Sequence, residues 1–175
     1  MTGTTVAERS DLTDKQDILE VIYNRARAAD RRDIELARSC YHPGATEDHE
    51  GFQGSAEEFL AQSQISDDST VKTMYHSVAN VLIELDGDEA RSEAYVTATA
   101  VVELDTVLDV TIGCRYLDRF TFRDGRWALQ HRQLVFDWSR VEEATKRYWD
   151  LVGLDTESLP MGVPGPEDPL YRLIG

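Results

Sequence analysis

A histidine within a strand-like run and an aspartate closing a helix are the residues of this sequence best placed for proton chemistry. The histidine is His76, in "TMYHSVAN". Alternation puts His76, Val78, Asn80 and Leu82 on one face, and Tyr75, Ser77, Ala79, Val81 and Ile83 on the other. Both faces are largely apolar, so the ring is expected to be at least half buried. It is then either a core histidine satisfied by a neighbour or a base facing a cavity. One strand leaves both readings open; a carboxylate aimed at the ring would decide between them. The aspartate is Asp30. Ile18, Leu19, Ile22, Ala26 and Ala29 recur at helical spacing and form one apolar arc. Asp30 falls at the edge of that arc, beside Tyr23 and close to Leu19, where an unpaired carboxylate is expensive.

Arg132 is the third candidate. Alternation groups it with Leu134, Phe136 and Trp138 on an apolar face, so it is either a strand-surface cation or a charge pointing into a cavity. His131 has the opposite parity and is expected outside. Asn80 shares the face of His76 and can donate a hydrogen bond. His42, Asp48 and His49 in "HPGATEDHE" lack the HExxH spacing of a helical metal site. They read as acidic loop material, and no metal is expected. No GxSxG-type motif is present, so covalent catalysis is not expected.

These residues must be positioned by one domain: 175 residues suffice for a sizeable core. The formal charge is -15, which argues against nucleic acid and against an anionic membrane surface as partners. No apolar run approaches the roughly 20 residues of a membrane-spanning helix, and residues 1–12 read as a polar lead-in without a signal core. Cys40 and Cys114 have no CxxC or zinc spacing. They are expected to be buried free thiols of a reduced, cytoplasmic protein.

The chain opens with a helix capped by Thr13, with Gln16 completing a capping box. A second helix spans about 33–41, stopped by Pro43 and Gly44. "TEDHEGFQGS" reads as a polar turn region, and "SAEEFLAQSQI" as a third helix capped by Ser55 and Glu58. The period then changes. Residues 71–85, 90–104, 110–122 and 127–138 read as long strands, with hairpin signals at Asp86-Gly87 and Asp124-Gly125. "WSRVEEATKRYWDLVGL" reads as a C-terminal helix. The Pro- and Gly-rich end is expected to lack regular structure and to drape over the body or a neighbouring subunit. Helices first and a meander after predict an α+β fold. In it, N-terminal helices pack on a strongly bent, mostly antiparallel sheet, as a cone-shaped barrel with an apolar cavity.

In order and spacing, "AADRRD", "CYHPGATEDHEGFQGS", "MYHSVAN", "GCRYLDRFTFRDGRW" and "WALQHRQLVFDW" resemble the SnoaL-like branch of the nuclear transport factor 2-like superfamily. The domain would span residues 13–139, with residues 140–175 as helix and tail. The pattern is similar to scytalone dehydratases, hexachlorocyclohexane dehydrochlorinases and bile acid dehydratases, which are cofactor-free lyases built around an Asp–His pair. The resemblance implies that Asp30 orients His76 as the base, and that Arg132 lines the pocket. It makes Tyr23, Tyr41 and Tyr116, with Asn80, the candidate substrate contacts. It also points to a homo-oligomer, a trimer ahead of a dimer.

The activity implied is elimination, chiefly dehydration, on a small, largely apolar cyclic or aromatic compound, without cofactor. The leaving group would depart with help from Arg132 or a tyrosine. Three alternatives stand beside it: C–C cleavage releasing formaldehyde from an aromatic diol, a ketosteroid-type isomerase, and a non-catalytic binding module or small subunit of a ring-hydroxylating dioxygenase.

Overall fold

The computed structural model describes residues 10–64 and 70–174. The lead-in before Ser10, the end of "SAEEFLAQSQI" at Ile65 and most of the loop before Thr70 lie outside the described residues. Helix α1 spans Asp11–Arg31, α2 Ile34–Ser39 and α3 Ala56–Gln64. The strands are β1 Tyr41–His49, β2 Phe52–Ser55, β3 Val71–Asp86, β4 Glu89–Glu103, β5 Val107–Arg123 and β6 Arg126–Glu143. They form one open six-stranded sheet in the order β2-β1-β6-β5-β4-β3. Only the β1–β6 pair is parallel. The helices pack on this bent sheet as a cone-like α+β fold.

The core lies between α1 and the sheet. Ile18 and Ile22 from α1 meet Phe120, Trp127 and Leu129, and the Trp127 indole N–H donates to the buried Asp14 carboxylate at 2.9 Å. The cap of α1 is Ser10, one turn before the predicted Thr13: Ser10 Oγ accepts the Thr13 N–H at 3.2 Å. Asp11 and Asp14 then fall in the first turn, where carboxylates oppose the positive end of the helix dipole. Ser55 and Glu58 cap α3 reciprocally, as predicted.

Several elements differ from expectation. The "TEDHEGFQGS" stretch is not a turn region but the end of β1, a two-residue turn and β2. Glu50 (φ 53°) and Gly51 (φ 83°) supply the positive φ values that a tight hairpin turn needs. Pro43 and Gly44 lie inside β1 rather than ending a helix. The C-terminal helix is only Tyr148–Val152 (α4), because β6 continues to Glu143. Leu108, Asp109 and Val110 of β5 pair with Glu143, Glu142 and Val141 and carry those residues as strand. The tail also contains regular structure, a 3₁₀ turn at Thr156–Ser158 and helix α5 at Leu170–Ile174. It returns to the end of α1: Gly165 N–H donates to Arg31 O at 2.7 Å, and Tyr171 Oη donates to Asp33 at 3.0 Å.

β3 differs from expectation as well. The pairing with β4 slips between Ala79 and Leu82, and Asn80 adopts φ 47°. This bulge reverses the alternation. His76 and Val78 face inward, but Val81, Ile83 and Leu85 follow them there. Asn80 and Leu82, expected beside His76, are exposed.

Candidate functional site: an Asp–His pair in an apolar cavity

Asp30 ends α1 and His76 lies early in β3, so the packing of α1 on β3 brings them together. His76 Nδ1–H donates to Asp30 Oδ1 at 2.6 Å, and the His76 backbone N–H donates to Oδ2 at 3.2 Å. Both side chains are nearly buried. Two donors on one carboxylate fix the ring's tautomer and its orientation. Among the described residues, no hydrogen bond engages His76 Nε2.

The pair borders a cavity of about 310 Å³, the size of a small-molecule site. Ala98, Ala100, Val110, Ile112, Phe59 and Leu60 give it apolar walls. Polar side chains also line it, among them Arg25, Arg32, His49, Glu50, Tyr116 and Arg132. Pro164 of the tail borders it too.

Arg132 is 1 % exposed. Its Nε and one terminal nitrogen donate to the two oxygens of Asp118 at 2.8 and 2.7 Å, and its guanidinium carbon sits 4.0 Å from the centre of the Tyr116 ring. Burial alone would weaken its charge, but the bidentate Asp118 contact holds Arg132 well above the ordinary guanidinium range. Burial pushes the Tyr116 phenol up to about 12.

The other predicted contacts lie elsewhere. Tyr23 is 47 % exposed on the surface of α1 and does not line the cavity. Its position lies outside the buried stripe of Ile18, Ile22, Arg25 and Ala26. Asn80 is turned outward by the bulge. Tyr41 is buried behind the cavity, where its hydroxyl accepts from Arg25 Nε at 2.8 Å and donates to Glu47. His131 lies on the outer face as expected, with Nδ1 2.8 Å from the exposed Thr46 Oγ1.

Arg25, Glu47 and Asp118 were not singled out from the sequence, and His49 was read only as loop material. Arg25 had a signal: it lies three residues after Ile22 and seven after Ile18, inside the apolar arc. Glu47 and His49 alternate along a strand whose polar composition masks it. Burial would raise the Glu47 pKa, but the His49 hydrogen bond, the Arg132 and Arg25 charges and the Tyr41 hydroxyl together hold it below the usual range. A depressed folded value stabilises the protein above the unfolded carboxylate's pKa of about 4.3 and is lost as pH falls through the lower folded value. Denaturant unfolding between pH 7 and 3 should therefore show a shallower acid loss in Glu47→Gln than in the wild type. An identical slope would remove Glu47 from the acid response.

Residues 10–133 match the family model described as the SnoaL-like domain. The chain belongs to the SnoaL-like domain family. Among curated proteins, no sequence matches it significantly. Several solved structures share the SnoaL-like fold. The hexachlorocyclohexane dehydrochlorinase LinA-type3 from Novosphingobium barchaimii superposes with a TM-score of 0.69 at 16% identity, over 78% of this chain and 94% of that one. A scytalone-dehydratase-like protein from Novosphingobium aromaticivorans gives 0.67 at 15% identity, over 78% and 91%. The Kfla4162 protein of Kribbella flavida gives 0.67 at 17% identity, over 75% and 95%. At these identities the likeness establishes the SnoaL-like fold, a fold whose solved members include dehydrochlorinases.

Proposed function

We propose that this SnoaL-like protein is a cofactor-independent lyase that eliminates water from a small, largely apolar cyclic or aromatic substrate. The observation that carries this reading is the Asp30–His76 pair bordering an apolar cavity. Asp30 accepts the Nδ1–H, so the electron pair of Nε2 is the ring's proton acceptor. Asp30 also offsets the positive charge that develops as His76 takes a proton. Apolar walls exclude water from the substrate, and the Arg132 charge, held by Asp118, stabilises negative charge on the departing group. The dehydrochlorinase and the scytalone-dehydratase-like protein named above support elimination as the reaction class. C–C cleavage would use the same base and cavity. A ketosteroid-type shuttle is less well supported, because the carboxylate at hand is occupied by a histidine.

The test is a panel of cyclic and aromatic alcohols incubated with purified protein, without added cofactor, with conjugated products followed by ultraviolet absorbance. Turnover by the wild type that is unaffected by chelator and lost in His76→Ala supports the lyase. An inactive protein that co-purifies with a second chain would favour the binding module.

We further propose a homo-oligomer, with a trimer ahead of a dimer, that works in the cytoplasm. Tyr75, Tyr95 and Trp138 are exposed by 61 %, 46 % and 53 % on the sheet, an apolar surface that a second copy would cover. Both cysteines are free and buried, which suits a reducing compartment. Among the described residues, no helix is long and apolar enough to cross a membrane. Light scattering at micromolar concentration should give a multiple of the 19.8 kDa chain mass; a monomer would contradict the oligomer.

A further inference from the structure

The cavity has a second histidine that carries its own carboxylate. His49 ends β1, and its Nδ1 donates to Glu47 Oε2 at 3.2 Å. Glu47 is 1 % exposed. Its other oxygen accepts the Tyr41 hydroxyl, and Tyr41 in turn accepts from Arg25. The His49 ring leans on Phe59, with ring centres 4.7 Å apart. It is thus held in plane by a carboxylate and from the side by an aromatic ring. His49 lines the same cavity as His76, and among the described residues no hydrogen bond engages its Nε2. The two histidines come from strands far apart in the sheet: β6, β5 and β4 lie between β1 and β3. The bend of the sheet turns both toward one cavity.

We propose that His49 is the proton donor of this cavity, delivering its Nε2 proton to the leaving oxygen while His76 takes a proton from carbon. This deepens the lyase reading and rests on it. The step balances. His76 Nε2 accepts the proton and the C–H electron pair becomes the C=C bond. The C–O bond breaks with its pair on oxygen. The His49 imidazolium, stabilised by Glu47, gives that oxygen its proton and water leaves. His76 is then charged and His49 neutral. Solvent restores both, and nothing is oxidised or reduced. The alternative donors are poorer. The Tyr116 phenol is pushed up to about 12, and Arg132 is locked in its charged form by Asp118. Neither surrenders a proton readily near neutral pH, whereas a histidine does. Glu47 and Tyr41 are positioning residues, since they act through His49.

The experiment uses 4-nitrophenolate, an aromatic body carrying an oxyanion, as the probe. Long-range ¹H–¹⁵N spectra of the full chain resolve the two ring nitrogens of each histidine, and absorbance titration gives the Kd. Shifts at Nε2 of both His76 and His49 on adding the probe are expected. His49→Gln should weaken binding roughly ten- to hundredfold, the value of one charge-assisted hydrogen bond. If His49→Gln fails to fold, Glu47→Gln serves. His49 should then lose its fixed Nδ1–H tautomer while His76 keeps its own. A response at His76 alone, with His49 silent or its tautomer unchanged in Glu47→Gln, overturns the donor and leaves the lyase reading standing. Silence at both histidines overturns the donor and the lyase reading together.

Discussion

Replacing His76 with alanine should leave the fold intact and lower turnover by about 10²–10⁴-fold, the usual contribution of a positioned general base. The ring is nearly buried, and among the described residues its Nδ1 bonds to Asp30, as does the His76 backbone N–H. The backbone donor survives the substitution, so the carboxylate keeps a partner and the end of α1 keeps its tie to β3. Circular dichroism should overlay on the wild type while kcat collapses. Asp30→Asn should also be costly, because an amide cannot offset the imidazolium and can present the wrong tautomer. A parallel fall in melting temperature and activity in both variants would instead describe a structural pair. Turnover in His76→Ala equal to the wild type would leave the cavity without a base.

Arg132→Ala should destabilise the protein by about 3–5 kcal/mol, the cost of leaving a buried charge without its partner. Arg132 and Asp118 are 1 % and 2 % exposed and bonded through two N–H donors, so the loss strands a carboxylate in the core. Removing both partners, in Asp118→Ala combined with Arg132→Ala, should recover part of that loss, since no lone charge stays behind. Arg132→Lys should rescue only partly: a single ammonium cannot reproduce the fork or its stacking on Tyr116. Denaturant unfolding measures all three. A loss in Arg132→Ala below about 1 kcal/mol, the level of an exposed pair, would contradict this description of the centre.

The parts of the fold that were legible in the sequence are those where one physical signal dominates. The strand runs of β3 to β6 alternate over many residues, and the Asp124-Gly125 turn takes positive φ at both positions (55° and 77°). Asp30 and His76 were readable because each is an ionisable group on an otherwise apolar face, and burial makes such groups seek partners. The failures also have causes. Asn80 is an extra residue in a ladder, and a single bulge reverses every side chain beyond it; nothing in "HSVANVLIEL" announces one. β1 and β2 look like a turn because their inward residues, Glu47 and His49, are polar. Glu47 bonds to Tyr41 and His49 of its own strand, and the charges that help hold it, Arg25 and Arg132, lie far away in sequence on α1 and β6. The "SRVEE" segment suits a helix locally, but pairing with β5 decided otherwise. Tyr41 is near the site yet behind it, a distinction that only packing can draw.

If His76 Nε2, held by Asp30, is a base in this cavity, it should remove a proton from any small carbon acid that fits. The most direct measurement is the ring opening of 5-nitro-1,2-benzisoxazole, in which loss of one carbon-bound proton breaks the N–O bond and releases a coloured phenolate. It requires a base in an apolar site and no knowledge of the natural substrate. The wild type should accelerate the reaction above buffer, with the acceleration abolished in His76→Ala and strongly reduced in Asp30→Asn. Equal rates in the wild type and a folded His76→Ala would contradict a base at His76.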